Sequence, residues 1–328
     1  MNWGNCMAIK FYKNIDNLKE IWNQMFNGNR TSPTLEYEFV KNWNKTLKQK
    51  KNNFFKGKLR YLAFIKENKI YAILPIIRRQ NKCTSLYLLD YFDLLYSILY
   101  KVEDIKNFML NDLKNNKITL CLNCVNEHSN LYSIFREVAS VSEENQCFAI
   151  KIEKDNAYEK FYDTLSKSTR QNIRTAYNRL QKDNKTKQFK VEELEDIKKN
   201  KRLYNNLYVN RRIQRYKNMS KLKALLYRFN EPILSTLLKS KNFKLYSLII
   251  DGQVAGYMAG MIINKIFYVP RLVVNDKFSR YSSGILLICE FVKNVNDVDY
   301  LVLATGSENY KKTLQAIEHK NYRLIIAN

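Results

Sequence analysis

Small and hydroxyl-bearing residues stand directly before an apolar helical stripe, and this pattern is suited to binding an anion. Ser282 and Ser283 precede a predicted helix that opens at Gly284. Backbone N–H groups at a helix start point outward together, and the helix dipole favours negative charge there. Glycine allows close approach of a phosphate, and Arg280 supplies a guanidinium. The pattern fits a phosphate-binding loop, but it also fits an ordinary serine-capped helix, which is the more common of the two.

The cysteines and histidines offer weaker chemistry. Cys121 and Cys124 form the one tight cysteine pair, with His128 four residues further on. A structural zinc ion needs four ligands, and no second such pair supplies the fourth, so we predict no metal. The six cysteines fit reduced thiols. His128 and His319 are the two histidines, and neither has a nucleophile neighbour, which argues against a serine or cysteine hydrolase.

Two apolar hairpin patterns show how such a loop would be positioned. The runs Leu59 to Ile77 and Phe243 to Met261 align without a gap, so that Glu67 matches Asp251 in the turn. Each is preceded by a strand and helices and followed by a strand–helix–strand–helix–strand pattern. In the second half, one of the preceding helices is predicted around Leu222 to Phe229. The chain therefore reads as one α/β unit used twice, joined by a helical piece from residue 158 to residue 180.

The phosphate-loop pattern occurs in the second copy alone. The equivalent stretch of the first copy has no glycine and carries Asp90, Asp93, Glu103 and Asp104. If the loop binds phosphate, the second half should therefore be the half that does so.

The charge and the hydropathy of the sequence limit the classes of protein to which the chain could belong. Lys and Arg number 56 against 31 Asp and Glu, a formal net charge of +25, which calls for an anionic partner. Lys167 to Arg228 alone holds 19 basic and 5 acidic residues. The mean hydropathy is −0.46 and no apolar run reaches membrane-spanning length. The first residues have no apolar signal region, so we predict a cytoplasmic protein.

Four motifs carry a resemblance to a known family. They are the basic helix Phe161 to Leu180, the hairpin LIIDGQVAGY from Leu248, YSSGILL from Tyr281, and GSENYKK from Gly306. With them, the second half resembles the GNAT superfamily of N-acetyltransferases. The whole chain resembles the tandem-domain CelD-like (cellulose-biosynthesis type) acyltransferases, which are related to Fem-type peptidyltransferases.

The resemblance implies a fold class and a donor. The fold would be α/β with two tandem GNAT-like domains, each a mixed, largely antiparallel sheet flanked by helices. Residues 1–152 would form a domain without a phosphate loop. Residues 153–328 would form the domain with the acyl-CoA site and the basic linking helix. The donor would be acetyl-CoA or another acyl-CoA, with no metal.

The resemblance also assigns site residues. The pantetheine would lie along a strand that ends at Leu272, Val273 and Val274. The pyrophosphate would meet four backbone amides and the guanidinium named above. These groups belong to Arg280, Ser282, Ser283, Gly284 and Ile285.

A direct attack of an amine on the thioester would follow. The N–H near Leu272 would stabilise the oxyanion, and Tyr310 would protonate the leaving thiolate. Lys311 would pair with phosphate or acceptor, or be a solvated helix lysine. The family's usual aspartate falls at Val302, so Glu308 is a possible substitute base, and a water relay is the alternative.

Three functions remain open. The first is acyl-CoA-dependent N-acyl transfer, as an acetyltransferase, to an amine of a cell-envelope sugar, polysaccharide precursor or other glycoconjugate. The second takes the donor from aminoacyl-tRNA, as Fem-type enzymes do, which would give the basic segment an RNA to bind. The third is a non-enzymatic basic adaptor for nucleic acid or for peripheral contact with an anionic membrane.

Overall fold

A computed structural model describes residues 8–28, 32–49, 57–85, 93–183, 190–193, 197–215, 236–305 and 309–327. The chain forms two compact units, each with its own core. Unit 1 combines Met1–Cys147 with His319–Asn328, and unit 2 is Phe148–Glu318. Within the described ranges, no helix is both long enough and apolar enough to span a membrane.

The first segment of unit 1, up to Cys147, contains four α-helices, six complete strands and the first part of a seventh among its described residues. The strands are β1 (Ala8–Tyr12), β2 (Lys58–Lys66), β3 (Lys69–Arg79), β4 (Lys82–Ser85), β5 (Leu95–Tyr96), β6 (Thr119–Asn126) and the first part of β7 (Ser140–Lys151). The helices are α1 (Lys19–Gly28), α2 (Tyr37–Gln49), α3 (Val102–Asn115) and α4 (Asn130–Phe135).

Unit 2 begins within β7 and repeats the same order. Its strands are β8 (Lys190–Glu193), β9 (Phe243–Ile250), β10 (Gln253–Ile263), β11 (Ile266–Val274) and β12 (Tyr300–Thr305). Its helices are α5 (Ala157–Thr164), α6 (Lys167–Lys182), α7 (Ile197–Arg215), α8 (Ser283–Asn294) and α9 (Asn309–Thr313). The helix expected around Leu222 to Phe229 lies outside the described residues. The chain closes with β13 (Ile317–Ile326).

The strands of the two units pair in the same order. In unit 1, β1, β2, β3 and β4 pair antiparallel in that order, and β4 pairs parallel with β6. In unit 2, β8, β9, β10 and β11 pair antiparallel in that order, and β11 pairs parallel with β12. Each unit is therefore a mixed, mostly antiparallel sheet with flanking helices, which confirms the predicted fold class.

The turns of the two matched hairpins are also alike. Glu67 and Asn68 have φ values of 50° and 63°, and Asp251 and Gly252 have 56° and 69°. Two successive residues with positive φ form the turn whose twist suits a two-residue hairpin. The gapless sequence match therefore reflects a shared turn geometry as well as a shared pattern of apolar residues.

The closing strand differs from the domain division expected from the sequence, 1–152 and 153–328. From His319 onwards β13 belongs to unit 1, where it pairs antiparallel with β6. Leu324 and Ile326 are buried in the core of that unit. From Phe148 onwards β7 belongs to unit 2, where it neighbours β12. The last strand of the chain thus completes the first unit rather than the second.

The basic linking segment forms two helices rather than one. Ser166 separates α5 from α6, and its Oγ accepts from the amide of Thr169 at 3.2 Å as an N-cap. The buried side chains of α6 recur every three or four residues, at Thr169, Ile173, Ala176 and Leu180. This stripe packs α6 on the unit 2 core and leaves its basic residues on the other face.

Candidate functional site

A β-bulge in β11 begins the site. Ala259 pairs with Arg271 and Met261 with Tyr268, so that Gly260 of β10 stands opposite two residues of β11. A Cβ on Gly260 would lie 1.8 Å from the carbonyl oxygen of Tyr268, which no side chain could tolerate. Glycine is therefore required at this position by the close approach of the two backbones.

The bulge coincides with the point where β11 parts from β12. The parallel pairing of these strands runs from Ile266 with Tyr300 to Tyr268 with Val302, although both strands continue beyond these residues. A bulge bends its strand and increases the local twist, which accounts for the divergence. Pro270 lies in the bulge, where its missing N–H removes no ladder bond to β12. The two strands are therefore unpaired beyond Tyr268 and Val302, and we take the gap between their C-terminal halves as the opening of the candidate site.

The predicted phosphate loop follows β11 directly. A short 3-10 helix, Asp276–Tyr281, leads to Ser282, whose left-handed backbone (φ 50°, ψ 45°) starts α8. The Ser282 side chain makes no capping hydrogen bond, so this residue does not act as an ordinary N-cap. A left-handed residue beside helical ones turns successive amides into one concave surface.

Two of the four predicted donor amides are used within the loop. The amide of Ser282 donates to Ser279 at 2.9 Å, and that of Ile285 donates to Ser282 at 2.9 Å. Ser283 and Gly284 occupy the first two positions of α8. Amides at these positions have no acceptor within the helix. The geometry therefore concentrates the predicted anion contact on these two amides.

Gly284 stands beside the end of β11. A Cβ added there would meet Cγ1 of Val274 at 3.0 Å, and among the described residues outside the helix backbone and the two chain neighbours no other heavy atom lies within 4 Å. Val274 is partly exposed, whereas Val273 is buried against the α7 face of the sheet. Val274, rather than Val273, therefore lies alongside the helix start.

Arg280 is anchored to α6. Its Nη2 lies 3.1 Å from Oδ2 of Asp183, and the buried Tyr281 hydroxyl donates to the same carboxylate. Nη1 of Arg179 donates to the Arg280 carbonyl at 2.8 Å. The Arg280 side chain is still 60% exposed. The sequence did not reveal Asp183, which connects the loop to the basic helix.

The helix α7 supports the loop and β11 on the other face of the sheet. Nη1 of Arg211 lies 3.0 Å from Oδ1 of Asp276, at the first residue of the 3-10 helix. The Arg271 guanidinium lies over the Tyr208 ring, 4.4 Å from its centroid. Part of the basic charge of the segment from residue 167 onwards therefore holds the loop in place.

The candidate catalytic residues lie around the opening. Leu272 is on β11 beyond the bulge, and its side chain packs on the core face of α8. Tyr310 is on α9, which follows β12, and its ring packs partly buried against the same core. Because β11 and β12 are parallel, the loop before α8 and the helix α9 follow the same edge of the sheet. Glu308 lies outside the described residues.

The sequence predicts that Lys311 pairs with a phosphate or the acceptor, or that it is a solvated helix lysine, and the structure gives it a different environment. It is 2% exposed, so it is not a solvated lysine. Its Nζ donates to the carbonyl of Ala304 in β12 at 2.9 Å and lies 5.5 Å from the centroid of the Phe148 ring. The ammonium group thus contacts a strand carbonyl and an aromatic face, and these contacts tie α9 to the sheet.

One buried acid was missed by sequence reasoning. Glu290, on α8, is 7% exposed, and its Oε1 accepts from the hydroxyl of Tyr177 on α6. Burial of the tyrosine raises the pKa of Tyr177 above its ordinary value, and the hydrogen bond to the Glu290 carboxylate raises it further. Nδ2 of Asn294 donates to the Glu290 carbonyl at 2.7 Å. A buried carboxylate requires hydrogen-bond partners. Here the partner is a tyrosine of another helix, so the bond joins α6 to α8 inside unit 2.

Residues 167–312 match the family model of the acetyltransferase (GNAT) domain. This range contains α6, β8–β12, the loop before α8, and the first part of α9. A comparison with curated proteins finds no match. Unit 2 therefore has the GNAT acyltransferase fold, and the specific CelD-like family was not found.

Solved structures support the fold over most of the chain. A conserved protein of unknown function from Bacteroides thetaiotaomicron superposes with a TM-score of 0.58 at 11% identity, covering 98% of this chain and 100% of that one. FemX superposes with a TM-score of 0.54 at 6% identity, covering 88% of this chain and 91% of that one. At such identities the likeness concerns the fold alone.

Proposed function

We propose that the protein is an acyl-CoA-dependent N-acyltransferase whose site lies in unit 2. The observation that carries the proposal is the position of the α8 start beside the gap between β11 and β12. Ser283 and Gly284 present two amides there, at the positive end of a helix dipole. A pyrophosphate on these amides would leave its pantetheine arm free to run along β11 beyond the bulge.

The residues of the opening would divide the work as follows. The exposed Arg280 guanidinium adds positive charge beside the two amides. Leu272 offers its backbone N–H to the oxygen of the reacting carbonyl. The amine nitrogen of the acceptor bonds to the acyl carbon as the carbon–sulfur bond breaks. Tyr310 gives its hydroxyl proton to the departing sulfur, and the amine's proton leaves through Glu308 or a water relay.

We further propose that the acyl group is acetyl and that the acceptor is an amine of a cell-envelope sugar or polysaccharide precursor. Support for the acceptor comes from the motif resemblance set out above. A cytoplasmic setting is part of the same proposal.

Isothermal titration of coenzyme A tests the donor site. Wild-type protein should bind, and Gly284→Trp should not, because the indole would fill the space beside Val274. Asn296→Trp is the matched control, since it adds the same ring at an exposed position beyond the other end of α8. Absence of binding by the wild type at millimolar coenzyme A would contradict the proposal.

Tyr310→Phe tests the proton donor. With an amine acceptor and acetyl-CoA, this variant should lose about 10²-fold in kcat while coenzyme A binding is retained. Tyr300→Phe removes a hydroxyl at the opposite end of β12 and serves as the control. Equal rates for the two variants would mean that Tyr310 does not protonate the thiolate.

The second candidate is transfer from aminoacyl-tRNA, and the excess basic charge favours it. Lys167 to Arg228 holds 19 basic residues, and Arg174 and Lys182 are exposed on α6. Gel shift with bulk tRNA over a salt series tests it, since phosphate contacts weaken as salt rises. Binding that falls with salt and is also lost in Gly284→Trp supports this candidate. Binding untouched by that variant would support the basic adaptor instead.

A further inference from the structure

The two histidines of the chain meet in unit 1. The antiparallel pairing of β6 with β13 places Asn126 opposite Asn321, and the amide of Glu127 donates to the carbonyl of Lys320 at 3.0 Å. Continuing this register by one more residue places His128 opposite His319. Directly opposed residues of an antiparallel pair have neighbouring side chains. The backbone therefore brings together two imidazoles that are 191 residues apart in sequence.

A carboxylate completes a triangle of ligand atoms. Nε2 of His128 is 3.0 Å from Nδ1 of His319. Oε1 of Glu127 is 3.6 Å from that Nδ1 and 3.8 Å from that Nε2. Ligand atoms on a tetrahedral ion with bonds of about 2.0–2.1 Å lie about 3.4 Å apart. The three separations bracket this value. An ion that replaced the hydrogen bond between the two imidazoles would therefore reach all three atoms with small side-chain adjustments and no movement of the strands.

We propose that Glu127, His128 and His319 bind a divalent transition-metal ion of the zinc type. Two imidazoles and one carboxylate are a donor set that such ions prefer, whereas calcium and magnesium favour oxygen alone. His128 is 67% exposed, which leaves the fourth position of the ion open to water. Among the described residues, no other group of three such side chains is close enough to share an ion.

The position of the ion gives it a structural consequence. It joins the turn after β6 to the start of the unit 1 part of β13, the strand that ends the chain. The residues that it joins are 191 positions apart in sequence, so the site forms only when the strands are paired. Because the site requires the folded strand pairing, a bound ion adds its binding free energy to the stability of unit 1.

The cysteines of β6 are the alternative ligands for a metal ion, and the test must distinguish them from the two histidines and Glu127. Cys121 and Cys124 are buried in β6, and Sγ of Cys121 accepts from Nη2 of Arg323 at 3.4 Å. A thiolate site would produce a sulfur-to-metal charge-transfer band with cobalt, and an imidazole–carboxylate site would not.

The test is titration of the purified full-length chain with Co²⁺ and Zn²⁺ under reducing conditions. We expect one ion per chain, visible cobalt absorption without the sulfur band, and displacement of cobalt by zinc. At one hundred times the dissociation constant, zinc should raise the unfolding midpoint by roughly 5 °C. No binding by the wild type, or a spectrum with the sulfur band, would overturn the proposal.

Variants locate the ion. His128→Ala and His319→Ala should each weaken binding by at least about tenfold. His128 is exposed, so its replacement leaves the fold intact even if His319→Ala proves unstable. Glu127→Gln should weaken binding while keeping an oxygen for the amide of Lys320. Glu143→Gln, an exposed acid paired with the Lys320 side chain, is the control and should bind as the wild type does. Equal binding by all four variants would place the ion elsewhere and refute the assignment.

Discussion

Replacing Gly284 with alanine separates the role of this residue in binding from its role in folding. The added methyl would meet Cγ1 of Val274 at 3.0 Å. This contact is tight, but it is made with the end of a side chain that can shift by a few tenths of an ångström. Alanine also favours the helix over glycine by about 0.5–1 kcal/mol. We therefore expect the free energy of unfolding to stay within about 0.5 kcal/mol of the wild type.

The effect on coenzyme A should be larger than the effect on stability. Side chains on a helix tilt toward its N-terminus, so the methyl points toward the mouth of the loop. Holding a phosphate away from the amides of Ser283 and Gly284 weakens two hydrogen bonds to a charged group, each worth about 1.5–3 kcal/mol. Partial loss of both predicts about tenfold weaker binding, or about 1.4 kcal/mol.

Isothermal titration with coenzyme A and urea unfolding measure the two quantities. Gly28→Ala is the matched control, because its methyl would meet Cγ2 of Ile98 in unit 1 at 3.2 Å, a similar contact far from the loop. Unchanged coenzyme A affinity in Gly284→Ala would refute the argument from close approach. A loss of stability well above 1 kcal/mol would show that the glycine is needed for packing instead.

Three further substitutions test other parts of the structure. Gly260→Ala should destabilise unit 2 by about 3 kcal/mol in urea unfolding, because its Cβ would collide with the Tyr268 carbonyl; wild-type stability would contradict the bulge. Asp183→Asn should lower stability by about 1–2 kcal/mol, since the exposed Arg280 contributes little to its ion pair with Asp183 but the Tyr281 hydroxyl is buried. An unchanged unfolding curve would mean that the loop is not held by α6. Burial raises the pKa of Asp93 to about 6, so the folded state binds its proton more tightly and stability falls as pH rises from about 4 to 6. Asp93→Asn should remove up to about 3 kcal/mol of this dependence. If the free energy of unfolding changes by the same amount between pH 4.5 and pH 7.5 in the wild type and in Asp93→Asn, the assignment is contradicted.

Local patterns in the sequence were sufficient for the repeated unit. Alternating apolar residues predicted both hairpins, and both turns have the two positive φ values that such short connections require. Gly284 after two serines predicted a helix start with outward amides, and α8 begins at Ser283. These features depend on neighbouring residues and on steric limits of the backbone, so they can be read from a few consecutive positions.

The details of the site needed the tertiary structure. Gly260 and Pro270 are the sequence signals of the bulge, but their meaning appears when β10 and β11 are paired. Lys311 has the sequence context of a surface lysine, and burial under β12 makes it a partner of Ala304. The amides of Ser282 and Ile285 looked equivalent to their neighbours until the left-handed turn used them internally.

The sequence by itself determined the elements, their order and the half that carries the phosphate-type loop. Only the tertiary structure decided that the final strand completes unit 1 and that His128 therefore faces His319. The apolar pattern of a strand specifies that one face is buried, but several strand edges satisfy that requirement equally well. The choice among them depends on pairing and packing across almost two hundred residues, which no local pattern contains.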